Sequence, residues 1–347
     1  MNSPIEQTAA GSGEPSEASG PSATQGGQGG SPACPGCSRA VQDTPIERYG
    51  KYSLFPCAGC GLQFWEPRAM PDARWYEQMY GGRDNKVLPL EPGHKYFLRD
   101  RQAPGRGDLL DIGCGTGNFL AAARDAGYQT SGTELDRNAA SFAREKLGLS
   151  RVVGLTIAEF AEKYPKDKFD VVTFFEVLEH QAEPAAFLEK VKECLRPGGY
   201  IALSVPNRAR WLTGPDVFDY PPNHFLRWNA EALRGFLGAR GFETSSVREQ
   251  PATVGYTAQM INMKLRTGWS RRATGGAAES FRDIMQLAAP EAAAALQAKA
   301  TARQKALRFL GRVKASACFP LALAAYPYVR LRNYKAAYLY MLARHTQ

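Results

Sequence analysis

The chain has 347 residues, 44% of them apolar and 22% charged, roughly twice a common single-domain length, so it can bury a sizeable core and is more than a small binding module. No uninterrupted apolar run reaches the ~18 residues of a membrane span, and seven Cys are too few for a disulfide scaffold; four of them form two C-x-x-C pairs, which suits a reducing compartment and a metal. The formal charge of +9 is uneven, with 15 Lys/Arg against 3 Asp/Glu from residue 251 onward and 28 against 31 before it, so the basic surface belongs to the C-terminal third.

Residues 1–32 are almost all Gly, Ser, Pro, Ala, Thr, Gln and Glu, with Ile5 the one large aliphatic residue apart from Met1. Nothing there offsets the entropy of ordering, and a disordered tail is expected. The Met1 end has neither a basic n-region nor an apolar h-region, so no signal peptide is expected and a cytoplasmic location is. In residues 33–64, Cys34-Pro-Gly-Cys37 and Cys57-Ala-Gly-Cys60 stand 19 residues apart, inside the window of a tetrahedral thiolate zinc site. Four thiolates leave no open position, so this Zn2+ is expected to fold a ribbon and to do no chemistry. Residues 65–106 read as a helical connector, in which Trp75, Tyr76, Met79 and Tyr80 recur at helical spacing, either packing or roofing a pocket.

From residue 107 to 250, short apolar runs alternate with amphipathic segments. Strands are expected at 108–112, 128–133, 151–154, 169–175, 200–205 and 242–248, and helices at 118–126, 136–147, 184–195 and 229–239. In the third helix Phe187, Leu188, Val191, Cys194 and Leu195 fall on one face. Such βαβ alternation predicts an α/β fold, a Rossmann-like seven-stranded, mostly parallel sheet with helices on both faces. Residues 251–334 read as a basic helical insertion or lid, with an apolar stretch at 315–328 broken by Pro320 and Pro327, and 335–347 as the last strand of the core sheet. Cys114, Cys194 and Cys318 read as small core residues.

The stretch LLDIGCGTGNFL at 109–120 sets Gly113, Gly115 and Gly117 between a buried strand and a helix start. Glycine admits positive φ and close approach of a ligand, and the helix N-terminus offers free N–H donors. The G-x-G-x-G spacing misses the G-x-G-x-x-G of a dinucleotide fingerprint, which disfavours a nicotinamide enzyme. Asp111 would repel a pyrophosphate and suits an ammonium group, and Glu134, 21 residues after Gly113, is placed to accept from both ribose hydroxyls. With SGTELD, FDVVTFFEVLEH and LRPGGYIALSVPN following in order, residues 107–250 resemble the class I S-adenosylmethionine (SAM)-dependent methyltransferases. The resemblance implies that the three glycines pack on the methionyl moiety, that Asp111 binds near its amino group, that Glu134 holds the ribose and that Ile157 lies near the adenine. The Cys pairs, with CGLQF-WEPR, are similar to those of a bacterial subfamily of these enzymes that carries an N-terminal zinc ribbon.

Glu176-Val-Leu-Glu179-His180 leaves the fourth strand at the ligand-binding edge of such folds. If it opens a helical turn, Glu176, Glu179 and His180 share one face, and His224 follows the fifth strand toward the same place. Two carboxylates and two imidazoles can hold Mg2+ or another divalent ion that acidifies a hydroxyl; the pattern is similar to that of metal-assisted small-RNA 2′-O-methyltransferases and ubiquinone-type O-methyltransferases. Without metal, His180 or His224 serves as general base and Glu179 shapes the pocket.

The acceptor is to be sought in the appendages. Lys299, Arg303, Lys305, Arg308, Arg312 and Lys314 alternate with apolar residues, a pattern of a helix at an anionic membrane surface or of a solvated lid. The preferred reading is O-methylation of a hydroxyl on a small molecule, glycan or lipid-linked acceptor, with peripheral contact at the inner membrane. The alternatives are a sugar C-methyltransferase, and an RNA methyltransferase gripping through the ribbon and the basic tail. Nucleic acid is disfavoured because Tyr220-Pro-Pro-Asn223 is in the wrong place and order for a base-flipping motif and aromatics among the basic residues are few. A SAM-holding scaffold without activity is the third class.

Overall fold

Alternate residues of a strand face opposite sides of its sheet, and here both sides are apolar. Strand β4 (Gly107–Ile112) and strand β7 (Phe169–Phe175) lie side by side; Leu110 and Val172 enter one buried cluster while Leu109 and Val171 enter another. In this computed structural model residues 31–69, 87–210, 219–262 and 318–346 are described. The tail to residue 30, the aromatic group at 75–80 and the basic stretch at 299–314 lie outside the described residues.

β4 pairs in parallel with β7 and with β5 (Tyr128–Thr133), β5 with the two-residue β6 (Val152–Val153), and β7 with β8 (Leu195–Pro206). Strand β11 (Lys335–His345) lies antiparallel between β8 and β10 (Phe242–Pro251). The order is β10-β11-β8-β7-β4-β5-β6, seven strands. Asp111 stands level with Gly132 on β5 and Thr173 on β7, so it sits at the carboxyl edge of the sheet where open α/β folds bind ligands.

Helices α1 (Pro92–Arg99), α2 (Asn118–Asp125) and α3 (Arg137–Leu147) bury Phe97, Phe119 and Ala140 on one face. Helices α4 (Ile157–Lys163), α5 (Pro184–Cys194) and α6 (Ala230–Gly238) bury Phe160, Phe187, Leu188, Val191 and Phe236 on the other, each such side chain contributing about 1.5–3 kcal/mol. Helix α3 starts where Asp136 accepts from the N–H groups of Asn138 and Ala139 and ends at Gly148 in the left-handed region, the local signals of a helix of this length.

Before the sheet, β1 (Glu47–Tyr49), β2 (Tyr52–Pro56) and β3 (Gln63–Glu66) form an antiparallel ribbon, whose fourth strand is β9 (Leu226–Arg227) from far along the chain. Trp65, fully buried, belongs to this ribbon. The expected boundary at 64 therefore cuts through β3, because the strand's pairing with β9 extends it past the Cys segment.

Other expectations need correction. Helix α1 falls inside the helical connector expected over 65–106, whereas helix α4 was not foreseen, although the Thr156/Glu159 capping box is a start signal. Residues 254–262 and 318–331 are helical, and their Ala258, Cys318 and Ala322 pack together. The expected breaks at Pro320 and Pro327 do not occur. Pro320 and Pro327 both lie within the helical residues 318–331, where each costs at most one backbone hydrogen bond.

Candidate active site

Past the end of β4 the chain turns through Gly113, Gly115 and Gly117, all at positive φ (73°, 54° and 82°). Two of them are required for different reasons. A Cβ on Gly115 would meet nothing within 4 Å, so this backbone lies open to a ligand, whereas one on Gly117 would stand 2.5 Å from Leu149 Cδ1 and 3.0 Å from Ala143 Cβ. Gly117 caps α2 and lets that helix start close against α3. The loop borders a cavity of about 190 Å³ lined among others by Asp111, Gly113, Gly115, Phe119, Phe175 and Glu176.

Glu134 ties the loop to β5. Its Oε2 accepts from the Gly115 N–H at 2.8 Å and its Oε1 from the Asp136 N–H at 2.7 Å. The Leu135 backbone bonds this carboxylate as well, and Glu134 itself does not line the cavity. Asp111 is almost fully buried and accepts from Thr173 Oγ1 at 2.6 Å; burial lifts its carboxyl to about 7 against the Thr173 bond, which lowers it. Ile157 does not line the cavity. It opens α4 and is buried in the main core.

Helix α1 adds two wall residues that went unforeseen. Glu91 and His94 line the cavity. The His94 ring stacks on Phe119 at 5.0 Å and meets Phe175 edge-on at 4.8 Å, and its Nδ1 accepts from the Glu91 N–H at 3.2 Å. Burial holds this ring down at about 4, hence neutral, and an apolar ring face with a nearby carboxyl is presented to the cavity.

After β7 the structure departs from the expected shared face. Glu176 adopts φ 55°, before the single 3₁₀ turn Leu178–His180, and so turns to the cavity and accepts from Ser204 Oγ at 2.8 Å. Burial, and then the neighbouring Glu91, push its carboxyl up to about 8. What converges instead is Glu179, His180 and His224, whose ligand atoms lie within 4.8 Å of one another. His224 Nε2 is 3.9 Å from Glu179 Oε1 and its Nδ1 3.6 Å from Asp219 Oδ1. His180 Nδ1 lies 2.5 Å from the Asn223 carbonyl, which can only accept, so Nδ1 carries the proton and Nε2 the lone pair. Burial holds the His180 ring down at about 3. Glu179 is wholly buried, neither of its oxygens meets a donor among the described residues, and burial pushes its carboxyl well up. Asp219 was not foreseen, since no local pattern links it to residue 179.

The four ribbon thiols gather as the spacing predicts. Sγ of Cys34 and Cys60 are 3.5 Å apart, as are those of Cys37 and Cys57, and all four lie within 4.8 Å of one another. A tetrahedron of Zn–S bonds of ~2.3 Å has edges of ~3.8 Å, so the donor set and its spacing fit one ion. Cys114, Cys194 and Cys318 are buried and away from that cluster.

Residues 89–247 match the sequence family described as a methyltransferase domain; the match takes in α1. A probable S-adenosylmethionine-dependent methyltransferase of Mycolicibacterium smegmatis is 29% identical over 194 residues, 56% of this chain and 70% of that protein. The ubiquinone biosynthesis O-methyltransferase of Thiobacillus denitrificans is 34% identical over 142 residues, 39% of this chain and 59% of that one. The chain spans between 50% and 59% of the length of the ubiquinone biosynthesis relatives it matches. A solved structure, the 1,6-didemethyltoxoflavin-N1-methyltransferase of Burkholderia thailandensis, shares 15% identity at a TM-score of 0.45, covering 87% of this chain and 99% of that one.

Proposed function

Since this chain carries a class I SAM-dependent methyltransferase domain over residues 89–247, we propose that it methylates a hydroxyl of a small molecule whose acceptor oxygen enters between the glycine loop and the Glu179–His224 cluster. The observation that carries the reading is Glu176, which lines the SAM-side cavity while the next turn builds the Glu179–His180–His224 group. Cavity and cluster thus share one strand end.

Bound SAM supplies a methyl carbon made electrophilic by its sulfonium. The backbone at Gly115 leaves room for the methionyl chain, Asp111 faces its ammonium, and Glu134 takes the ribose hydroxyls. His224 takes the proton of the attacking hydroxyl, with the Asp219 carboxylate beside its Nδ1 to stabilise the imidazolium. His180, kept neutral by burial, fixes the loop through Asn223. Ile157 backs the adenine end from the core. Fold and loop position these groups, and orientation carries much of the rate.

The orphaned oxygens of Glu179 favour a second reading, in which Glu179, His180 and His224 hold a divalent ion that acidifies the hydroxyl. With Glu176 elsewhere, two imidazoles and one carboxylate suit a borderline ion such as Zn2+ or Mn2+ better than Mg2+. Full activity in strong chelator excludes this second reading. The four ribbon thiols are assigned a structural Zn2+, and metal analysis of the purified protein is expected to find one zinc per chain there.

The test uses SAM labelled in its methyl group, an extract of source cells lacking this protein, and fractionation into small-molecule, organic-extractable, glycan and RNA pools. Label in the small-molecule or organic pool is expected. Label confined to RNA overturns the proposal. Among the described residues no helix is long and apolar enough to cross a membrane.

A further inference from the structure

His224 lies on a stretch, residues 219–225, that has no regular strand or long helix of its own. Its shape is set by what grips it, and the grip comes from the thiol ribbon. Glu47 on β1 ties the start of the stretch to β9 just beyond its end, its Oε1 accepting from the Tyr220 hydroxyl and its Oε2 from Arg227 Nη1 at 2.8 Å. The Tyr220 ring packs against Tyr49 at 4.5 Å and Trp65 at 5.5 Å, and the Arg227 guanidinium lies over the Trp65 and Tyr220 rings.

These ties reach the site through the backbone. The Tyr220 carbonyl accepts from the N–H of His224 at 3.3 Å. One residue on, the Phe225 carbonyl accepts from the Trp65 N–H of β3 and the Phe225 N–H donates to the Glu179 carbonyl, both at 2.9 Å. The ribbon is itself seated on the core at its two knuckles, where Arg240 Nη2 donates to the Gly36 carbonyl at 3.0 Å and Arg208 Nη1 to the Gly61 carbonyl at 2.8 Å.

We propose that the thiol ribbon is a clamp on the acceptor side of the site and that Glu47 is a positioning residue for His224, acting through Tyr220 and Arg227. This rests on the reading of His224 as part of the reaction site. Glu47 is tied to Tyr220 and Arg227, which flank His224 along the chain. Its carboxylate ties Tyr220 to Arg227 across the stretch that carries His224, so loss of its charge loosens both ties and leaves the Arg227 cation without this anion. A displacement of about 1 Å at a reacting group costs about 100-fold in rate, which makes the clamp a determinant of turnover.

The test is histidine-ring NMR of the full chain, which has four His, in the wild type and in Glu47→Gln and Tyr220→Phe. Tyr220→Phe removes one hydroxyl and keeps the stacked ring, so it serves if Glu47→Gln fails to fold. The clamp predicts that the His224 and His180 signals shift while those of His94 and His345 stay, and that kcat falls by about tenfold to about 100-fold with KM for SAM within about twofold. Folded, zinc-loaded variants whose four His signals all match the wild type overturn it. The NMR readout needs no acceptor. If His224 and His180 move as expected but no methyl reaches any pool, the clamp stands and the assigned reaction falls.

Discussion

Asp111 offers the sharpest quantitative handle on the proposed SAM site. Burial lifts its carboxyl to about 7, while an ammonium beside it favours the ionised form and pulls it back down. The empty site therefore holds a proton that the occupied site does not, SAM binding releases it, and affinity rises with pH up to about 7 and then levels. For a carboxyl at about 7 that drops well below 5 on binding, the affinity at pH 5 is about 50-fold weaker than at pH 7, or about 2.3 kcal/mol. Isothermal titration calorimetry with SAM from pH 5 to pH 8 reads this slope, and two buffers of different ionisation heat at pH 6 should report close to one proton released. Asp111→Asn removes the titrating group, so it should bind weakly and with no such slope. Wild-type affinity that is flat across this range, or a variant that keeps the slope, refutes the assignment of Asp111 to the ammonium.

His224→Asn should lower kcat by about 10²–10⁴-fold while calorimetric SAM affinity stays unchanged; equal loss of both would move His224 out of the acceptor side. Gly117→Ala puts a side chain at φ 82° and 2.5 Å from Leu149, which should cost about 2–4 kcal/mol in urea unfolding, whereas a loss below about 0.5 kcal/mol would mean that α2 and α3 can part without cost. Cys57→Ser should lower the zinc content below one per chain and open the amides of β2 and β3 to hydrogen exchange; full zinc and full protection would remove the metal from the ribbon. Strong chelator applied briefly, so that the ribbon keeps its zinc, should leave turnover intact, and recovery only on adding back a divalent ion would favour the metal reading of Glu179, His180 and His224.

The central sheet was legible because its determinants are local. The apolar run of β7, the three glycines after β4 and the face of α5 are patterns within a dozen residues, and the two C-x-x-C pairs announce their meeting by spacing alone. The site was legible in its members and less so in its geometry. Glu176 reads as one of three residues on a helical face, but a left-handed φ at that residue sends its carboxyl to the cavity and leaves the turn to begin at Leu178. Asp219, Glu47 and the β3–β9 pairing were not legible, because Glu47 meets Tyr220 and Arg227 across 173 and 180 residues and no periodicity records a contact of that range. His94 was passed over because its helix is eight residues long and its place in the cavity wall shows only when the ring lies against Phe119.

The central claim is that this chain moves the methyl of SAM to an oxygen. The direct measurement is carbon NMR of the product made from SAM carrying a ¹³C methyl, with the acceptor pool identified by fractionation. The account predicts a transferred methyl with the chemical shift of an O-methyl group, absent with His224→Asn. A signal at the upfield shift of a C-methyl group, or in the range of a methylated nitrogen, would contradict it.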